Sequence, residues 1–288
     1  MELAGAMFLR IWDVEHGACA MLYHQLNGYV GRLAMIDSGC TAEWRPSTFI
    51  RRSIGRDRLD YLFITNADQD HMSDLQGLEA EGVNVDTLIR NPSYSGQQMR
   101  AIKALGGPLS DDASWYTGAC DSFNVPTALP FDANMGGIQA SLFWHNYPTF
   151  TNTNDLSLVA FIKYAGFKIL FPGDLEKAGW LALLQREDFH SELSGTNILI
   201  ASHHGRENGY CPDIFEYFTP DAVVISDKPI AHETQRTVPD YRRVVRNRGV
   251  RVRTTMKDRH VLTTRRDGWI QFTVNGNGEY FIDTECMG

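Results

Sequence analysis

The chain contains three apolar stretches that each end in side chains able to bind a metal ion. In the first, the apolar residues 62–64 lead into Asp68, Asp70 and His71. A buried strand gains nothing from such a cluster at its end, whereas a metal ion requires oxygen and nitrogen donors to converge. Because Asp70 and His71 are adjacent, they can serve one ion only from a loop. The alternative is a helix N-terminus, where Asp68 or Asp70 caps the helix and the macrodipole favours acidic residues.

Two later stretches supply possible partners for this first cluster. Residues 167–171 form a strand-like run that stops at a Pro-Gly turn and presents Asp174. Residues 197–201 lead in the same way into His203 and His204, which a glycine follows. Each of these could be a simple exit from a strand, and a lone pair of histidines is more often a surface feature than a ligand. Their joint occurrence favours a metal centre.

These motifs resemble the ligand motifs of the metallo-β-lactamase-fold hydrolases, in particular those of the β-lactamase-like domain of ComEC-type competence proteins. Residues 65–71, Thr-Asn-Ala-Asp-Gln-Asp-His, are similar to the family signature His-x-His-x-Asp-His, and Gly173-Asp174 and Ser202-His203-His204-Gly205 resemble the later motifs. Residues 11–17, 35–39 and 154–159 are similar to the opening Leu-Asp-Val-Gly-Gln-Gly, Ile-Asp-Ser/Thr-Gly and Asn-Asn-x-Ser-Leu-Val segments of the competence proteins. The matches follow the family order from about residue 8 to residue 274.

The resemblance implies an α/β fold, a four-layer αββα sandwich, formed as a single hydrolase domain by residues 1–288. It also implies a set of metal ligands, namely Asp68, Asp70, His71, Asp174 and His203. Asp174 would bridge two ions when both are present, and Asp37 would orient a ligand rather than bind metal. The cofactor expected is a divalent metal, Zn²⁺ or Mn²⁺, with one ion held firmly.

The chain departs from the family where a second ion would bind. Asn66 stands at the position of the first family histidine, and Asn154 lies in the later motif. An amide is a poor ligand compared with a neutral imidazole. We therefore expect Asn66 and Asn154 to form only a weak second site, with an ion that is labile or arrives with substrate.

The predicted catalytic residues are Asp70, His204 and His232, with the two histidines binding the phosphate or protonating the leaving group. His232 could equally be an ordinary loop histidine. His16 stands where the family has Gln and could approach the site from below. Cys211 could be a soft ligand, but an ordinary half-buried thiol is the simpler interpretation.

Composition is compatible with a large enzyme domain and gives an expectation about location. The chain has 288 residues, of which 43% are hydrophobic, enough for a sizeable core. No apolar run approaches the roughly 18 residues of a membrane span, and the acidic N-terminus does not resemble a signal peptide. The five cysteines are scattered and form no C-x-x-C pair, which favours a reducing, cytoplasmic setting.

Charge is unevenly distributed and bears on the substrate. The whole chain carries −8, but residues 236–266 contain eleven basic residues against two acidic ones, a local charge of +9. Such a basic segment suits a nucleic acid or nucleotide partner. The alternative is that acidic neighbours in the fold balance these charges.

Element patterns place the motifs and mark one unusual segment. We predict a helix over residues 71–81, one helix at 96–105 within an otherwise irregular stretch 91–135, a helix over 176–186, and final strands that end near residue 274. Long loops in compact domains are often functional. We therefore predict that residues 91–135 cover the substrate, with a solvated connector as the alternative.

The leading functional hypothesis is a metal-dependent hydrolase, a phosphodiesterase or nuclease that uses water activated by the ion. A hydrolase of a small ester, thioester or lactam is the first alternative, because fold alone does not choose among these substrates. A catalytically degenerate member that binds a ligand or partner is the second, and Asn66 motivates it.

Overall fold

Two β-sheets packed face to face form the centre of the structure. The computed structural model describes residues 5–124, 131, 133–228 and 236–286, without the side chain of residue 133. In chain order the strands are β1 (Ala6–Ile11), β2 (Ala20–Leu26), β3 (Tyr29–Ile36), β4 (Arg58–Phe63), β5 (Asn84–Ile89), β6 (Gln139–Phe143), β7 (Val159–Tyr164), β8 (Phe167–Phe171), β9 (Ile198–Ile200), β10 (Ala222–Ile225), β11 (Val250–Val252), β12 (Lys257–Arg259), β13 (Val261–Thr263), β14 (Ile270–Asn275) and β15 (Tyr280–Thr284).

Over the described ranges, these strands assemble into one sheet of nine strands and one of six. The first sheet has the order β12-β11-β15-β14-β1-β2-β3-β4-β5, and the second has the order β13-β10-β9-β8-β7-β6. Strand β1 lies antiparallel to both β2 and β14, with Leu9 opposite Leu22 and Phe272. By contrast, β3, β4 and β5 run parallel, as do β8, β9, β10 and β13.

Helices cover the outer faces of both sheets. They are α1 (Pro46–Thr48), which continues as a π-helical turn (Phe49–Ile54), then α2 (Gln69–Met72), α3 (Leu75–Ala80), α4 (Gly96–Ala104), α5 (Asp111–Ser122), α6 (Lys177–Leu183), α7 (Glu187–Leu193), α8 (Val238–Val244) and α9 (Thr264–Asp267). Short 3₁₀ turns occupy Ala133–Met135, Ser202–Gly205, Glu207–Gly209 and Pro212–Glu216. In the part of the chain that the structure describes, no helix is long and apolar enough to cross a membrane.

Three apolar clusters define the layers of the molecule. The first lies between the sheets, where β1 contributes Met7, Leu9 and Ile11 because side chains alternate along a strand. The second packs the first sheet against α3 and α5, for example through Leu78 and Tyr116. The third packs the second sheet against α6, α7 and α8. The order helix, sheet, sheet, helix confirms the predicted four-layer αββα sandwich.

Several predicted elements differ from the structure. The helix expected over residues 71–81 is two short helices, α2 and α3, and the helix expected over 176–186 ends at Leu183, with α7 following it. The stretch 91–135 contains a second helix, α5, of 12 residues. The start of α5 could have been predicted from the sequence, because Ser110 caps the helix and two aspartates occupy its first turn. Strand β15 lies beyond the predicted end of the strands near residue 274.

The parallel strands place three loops at one edge of the sandwich. The carboxyl ends of parallel strands meet at one edge of their sheet, where ligands of α/β proteins usually bind. The loop after β4 of the nine-stranded sheet and the loops after β8 and β9 of the six-stranded sheet carry the three predicted ligand motifs. The backbone N–H of Leu158 donates to the carbonyl of Thr65 over 2.7 Å and joins the two sheets at this edge.

Candidate metal centre

Four side chains that follow β4, β8 and β9 converge at this edge of the sandwich. They are Asp70 and His71 of α2, Asp174 after β8 and His204 after β9, and one ligand atom of each lies within 4.8 Å of all the others. Three of these residues are buried and Asp70 is partly exposed. The structure therefore brings together ligand types from segments more than 100 residues apart in sequence.

The imidazole of His71 is oriented by a carboxylate behind it. Its Nδ1 donates to Oδ2 of Asp37 over 2.8 Å, and Asp37 is itself held by the backbone N–H of Thr65 at 2.7 Å. With its hydrogen on Nδ1, neutral His71 directs the lone pair of Nε2 forwards. That Nε2 lies 3.0 Å from Oδ1 of Asp174. A carboxylate behind a histidine is the usual support of a metal-binding imidazole, and Asp37 has this position relative to His71.

The imidazole of His204 has the same arrangement. Its Nδ1 donates to the backbone carbonyl of Ser226 over 2.9 Å, and because a carbonyl can only accept, this nitrogen carries the hydrogen. Its Nε2 lies 3.1 Å from Oδ2 of Asp70 and 3.6 Å from Oδ1 of Asp174. This buried nitrogen makes no well-aligned hydrogen bond with any described residue. It points into the space between the carboxylates.

The four converging groups require positive charge between them. Burial raises the pKa of Asp174, but the imidazoles of His71 and His204 outweigh burial and lower it to about 2. The same two imidazoles hold the pKa of Asp70 well below its usual range, again against burial. Burial lowers the pKa of His71 and of His204, yet the neighbouring carboxylates raise both above the ordinary value. Two added protons or one divalent cation supply the same charge, so the donor set fits a divalent ion.

Backbone strain aims the two histidines after β9. His203 and His204 have φ of 50° and 54°, and Gly205 follows with φ of 73°. The left-handed conformation costs a non-glycine residue roughly 1–2 kcal/mol, and such strain concentrates at functional sites. The turn sends the side chain of His204 towards Asp70 and leaves that of His203 at the cleft.

The two opening motifs of the sequence hold the loop that carries Asp70. The N–H of Ala18 donates to the carbonyl of Asp70 over 3.2 Å, and the N–H of Ser38 donates to that of His71 over 2.7 Å. A Cβ on Gly39 would lie 2.7 Å from the carbonyl oxygens of Ala18 and Asp70, closer than real Cβ atoms come. Gly39 is therefore required for the backbone to pack against the metal-binding loop.

The residues predicted for a second ion are paired with other groups. Asn66 donates to Oδ1 of Asn154 over 3.1 Å and accepts from the backbone N–H of Asp68 over 2.9 Å. Asp68 itself accepts from Nζ of Lys103 over 2.7 Å and from Oγ1 of Thr153 over 3.1 Å. Asp68 and both asparagines thus lie near the centre but outside the cluster of four.

His203 is replaced in the cluster by its neighbour His204. The structure places Nε2 of His203 at 3.9 Å from Oδ2 of Asp174, where it accepts a hydrogen bond from Arg206 over 3.1 Å. Burial lowers the pKa of His203 and favours its neutral form. The sequence could not rank the two histidines, because adjacent residues differ only in which way the turn points them.

An open cleft of about 480 Å³ lies over the cluster. Its lining includes Asp70, Asp174, His203, Arg206 and His16. Arg206 donates to the imidazoles of His203 and His16, each over 3.1 Å, and its Nε is buried without a partner. Among the described residues, no carboxylate lies within ion-pair distance of this guanidinium. Sequence reasoning missed Arg206, although it directly follows the His-His-Gly motif.

His16 approaches the site, as the sequence suggested. Its Nε2 lies 3.4 Å from Oδ2 of Asp70. Burial and the neighbouring His204 lower the pKa of His16 to about 4. His16 is therefore neutral at pH 7 and accepts from Arg206.

Two other predicted residues fall elsewhere. His232 lies outside the described residues. Cys211 is buried in the cluster under the second sheet, and its Sγ faces Oδ2 of Asp213 over 3.5 Å. Its position supports an ordinary buried thiol rather than a metal ligand.

Most of the basic segment 236–266 is balanced within the fold. At least six of its eleven basic residues form ion pairs with described carboxylates, namely Arg243, Arg246, Arg251, Arg253, Arg259 and Arg265. The least exposed of these six arginines, Arg259, pairs with the fully buried Asp267. These contacts favour the alternative in which acidic neighbours neutralise the segment.

Comparisons with known proteins identify similar folds. No protein-family model matches the sequence, and no curated protein matches it. Similar solved structures include a candidate metal-dependent hydrolase from Parabacteroides distasonis, with 12% identity, a TM-score of 0.46, and coverage of 89% of this chain and 93% of that one. A diphosphatase of the PhnP family has 11% identity, a TM-score of 0.42, and coverage of 93% and 98%.

A third similar structure, Zn²⁺-bound PqqB from Methylobacterium extorquens, has 15% identity, a TM-score of 0.34, and coverage of 62% of this chain and 58% of that one. The first of these neighbours is described as a metal-dependent hydrolase, and the third has Zn²⁺ bound. No residue role follows from similarity at this level, so the roles below rest on the geometry of this chain.

Proposed function

We propose that the protein is a metal-dependent hydrolase of phosphodiesters, with a nucleic acid or nucleotide as substrate. One observation carries the proposal. Two carboxylates and two imidazoles, each imidazole with its Nδ1 hydrogen already engaged behind the site, converge at the floor of an open cleft. Such a set binds a divalent cation, and its opening to solvent leaves room for substrate.

The ligands in this proposal are Asp70, His71, Asp174 and His204. When bound, a divalent ion supplies Lewis acidity, which lowers the pKa of water and polarises a phosphoryl or carbonyl oxygen. Asp37 holds His71 in position. His203, neutral at pH 7 and part of the lining of the cleft, can accept or donate a proton at Nε2 once substrate displaces Arg206.

Arg206 supports an anionic substrate. A guanidinium presents donors in a planar fork that matches phosphate oxygens. Because its two described side-chain partners are neutral imidazoles, its charge is available to an anion in the cleft. The basic segment 236–266 adds little to this, since most of its charges are paired. The ComEC-type resemblance of the sequence motifs agrees with a phosphodiester substrate and belongs to the same proposal.

The test is hydrolysis of bis-p-nitrophenyl phosphate and of single-stranded DNA by the purified chain with added Mn²⁺ or Zn²⁺. We expect metal-dependent cleavage that falls to the level of buffer in Asp174→Ala, because this change removes a carboxylate that contacts both imidazoles. Circular dichroism should show a largely intact fold. The matched control is Asp213→Ala, a carboxylate outside the centre, which should retain activity.

Other outcomes select the alternatives. Cleavage of p-nitrophenyl acetate without cleavage of either phosphodiester would favour the ester, thioester or lactam hydrolase. Failure to cleave any of these substrates by a chain that binds metal would favour the degenerate ligand-binding member. Unchanged turnover in Asp174→Ala would remove this residue from the site.

A further inference from the structure

Asp68 is close to the metal centre but engaged by an ammonium group. It lines the same cleft as Asp70 and Asp174. Nζ of Lys103 donates to its Oδ1 over 2.7 Å, and Oγ1 of Thr153 donates to its Oδ2 over 3.1 Å. Both carboxylate oxygens therefore already have a donor. The ion pair is partly shielded, with the two side chains 21% and 32% exposed.

An amide network occupies the space next to this ion pair. Asn66 donates to Asn154, Asn154 donates to Oε1 of Glu176 over 2.8 Å, and Asn208 donates to the same oxygen over 2.7 Å. The oxygen of Asn66 is used by the backbone N–H of Asp68. The amide oxygens and carboxylates that could bind a second ion thus already accept hydrogen bonds from neighbouring donors.

Lys103 reaches the site from a separate element. It lies in the last turn of α4, which begins with a capping box formed by Ser95 and Gln98. The positive side chain at this helix end is also favoured by the helix dipole. Helix α5 contacts the first residue of α2, because Asp112 accepts from Nε2 of Gln69 over 2.8 Å. Helices α4 and α5 therefore contact, respectively, the N-cap residue of α2 and its first residue.

We propose that Lys103 takes the place of a second metal ion beside the proposed metal centre. Its ammonium neutralises Asp68, and the amide network of Asn66 and Asn154 closes the remaining ligand positions, so that the chain binds a single divalent ion. A second cation would have to displace the ammonium of Lys103 or share Asp68 with it. An ion that shared Asp68 would lie close to the ammonium, and two positive charges at contact distance repel each other strongly in a partly buried site. This inference rests on the proposed metal-dependent function and refines its metal content.

The experiment measures metal stoichiometry without any substrate. Purified chain, stripped with chelator, is titrated with Mn²⁺ by isothermal calorimetry, and the bound metal is counted by mass spectrometry after gel filtration. We expect one ion per chain in the wild type. In Lys103→Met with Asn66→His, which frees Asp68 and restores an imidazole, we expect a second ion bound roughly tenfold or more tightly than any second ion in the wild type.

Two further variants and a spectroscopic measurement isolate the cause. Lys163→Met removes a lysine that pairs with Glu192 far from the centre, and it should leave the stoichiometry at that of the wild type. Adding Asp68→Asn to the double variant should abolish the second ion, because the freed carboxylate is then gone. Electron paramagnetic resonance should show spin-coupled Mn²⁺ only in the double variant, and circular dichroism checks that each variant is folded.

Three results overturn the inference. A wild-type chain that binds two ions would show that Lys103 does not exclude the second ion, while the hydrolase assignment would survive. A folded double variant with no second ion would show that Lys103 and Asn66 do not control this position. A wild-type chain that binds no divalent ion would refute the metal centre and this inference together, and loss of hydrolysis with intact metal binding would refute only the proposed function.

Discussion

Replacing Asp37 by asparagine tests whether His71 is held as a metal ligand. Asp37 is 2% exposed, and its Oδ2 accepts from Nδ1 of His71 over 2.8 Å while its Oδ1 accepts from the N–H of Thr65 over 2.7 Å. An asparagine keeps one acceptor, but it loses the charge and turns an amide towards a donor. Changes to groups that support a metal-binding histidine typically weaken metal binding about 10–100-fold.

The expected effect on thermal stability follows from ligand linkage. A metal concentration of about 100 times the dissociation constant stabilises the folded chain by about 2.7 kcal/mol. If the variant binds 100-fold more weakly, the same concentration contributes only about 0.4 kcal/mol. With an unfolding entropy of about 2.1 cal/mol/K per residue, this difference of about 2 kcal/mol corresponds to a Tm lower by roughly 4 °C for a chain of 288 residues. Differential scanning fluorimetry with and without Zn²⁺ or Mn²⁺ measures it, and calorimetric titration gives the affinities.

A matched control separates metal binding from the cost of altering a buried carboxylate. Asp267 is fully buried, pairs with Arg259 and accepts from the backbone N–H of Thr263 over 2.9 Å. Asp267→Asn should lower Tm equally with and without metal and leave the metal affinity unchanged. If Asp37→Asn binds metal within twofold of the wild type, the support of His71 by Asp37 has no part in metal binding, and the reasoning fails.

Two further predictions address the same centre. His204→Ala should weaken metal binding far more than His203→Ala, because only the Nε2 of His204 faces both Asp70 and Asp174; the reverse order in a calorimetric titration would exchange their roles. The Tm difference between metal-loaded and metal-free protein should widen as pH rises above the ordinary histidine pKa. The pKa values of His71 and His204 are raised in the folded chain, so their protonation stabilises the metal-free fold below the ordinary histidine pKa. This stabilisation is lost as pH rises through the raised pKa values of the two histidines. Metal, by contrast, binds better when the imidazoles are deprotonated. A difference that stays constant between pH 6 and 9 would contradict this account.

The fold and the core of the site were largely readable from local sequence. Apolar runs that end in ligand-type side chains predicted the strands before these motifs and the convergence of Asp70, His71 and Asp174. The resemblance carried by the ordered motifs implied the two-sheet sandwich. Helix α5 was not predicted, because the surrounding residues are rich in Gly and Ser. Its N-terminal signals are nevertheless present, since Ser110 caps the helix and two aspartates occupy its first turn.

What remained depended on contacts between distant segments. Whether His203 or His204 enters the cluster is decided by three consecutive left-handed residues, a backbone conformation that the surrounding structure imposes rather than the residue types. From the sequence, the positive charge of the basic segment suits a nucleic acid or nucleotide partner. In the structure, carboxylates such as Asp221, Asp283 and Asp267 form ion pairs with its arginines.

Asp68 illustrates the difference between what local sequence determines and what tertiary structure determines. Local sequence determined that a carboxylate would follow β4 within a ligand-like motif, because that depends on residue type and on the period of the strand. Only the tertiary structure decided that Lys103, 35 residues away, would engage it. The residue type determines the charge of a side chain. The packing of sheets and helices determines its partner, because packing brings groups from distant segments within hydrogen-bond distance.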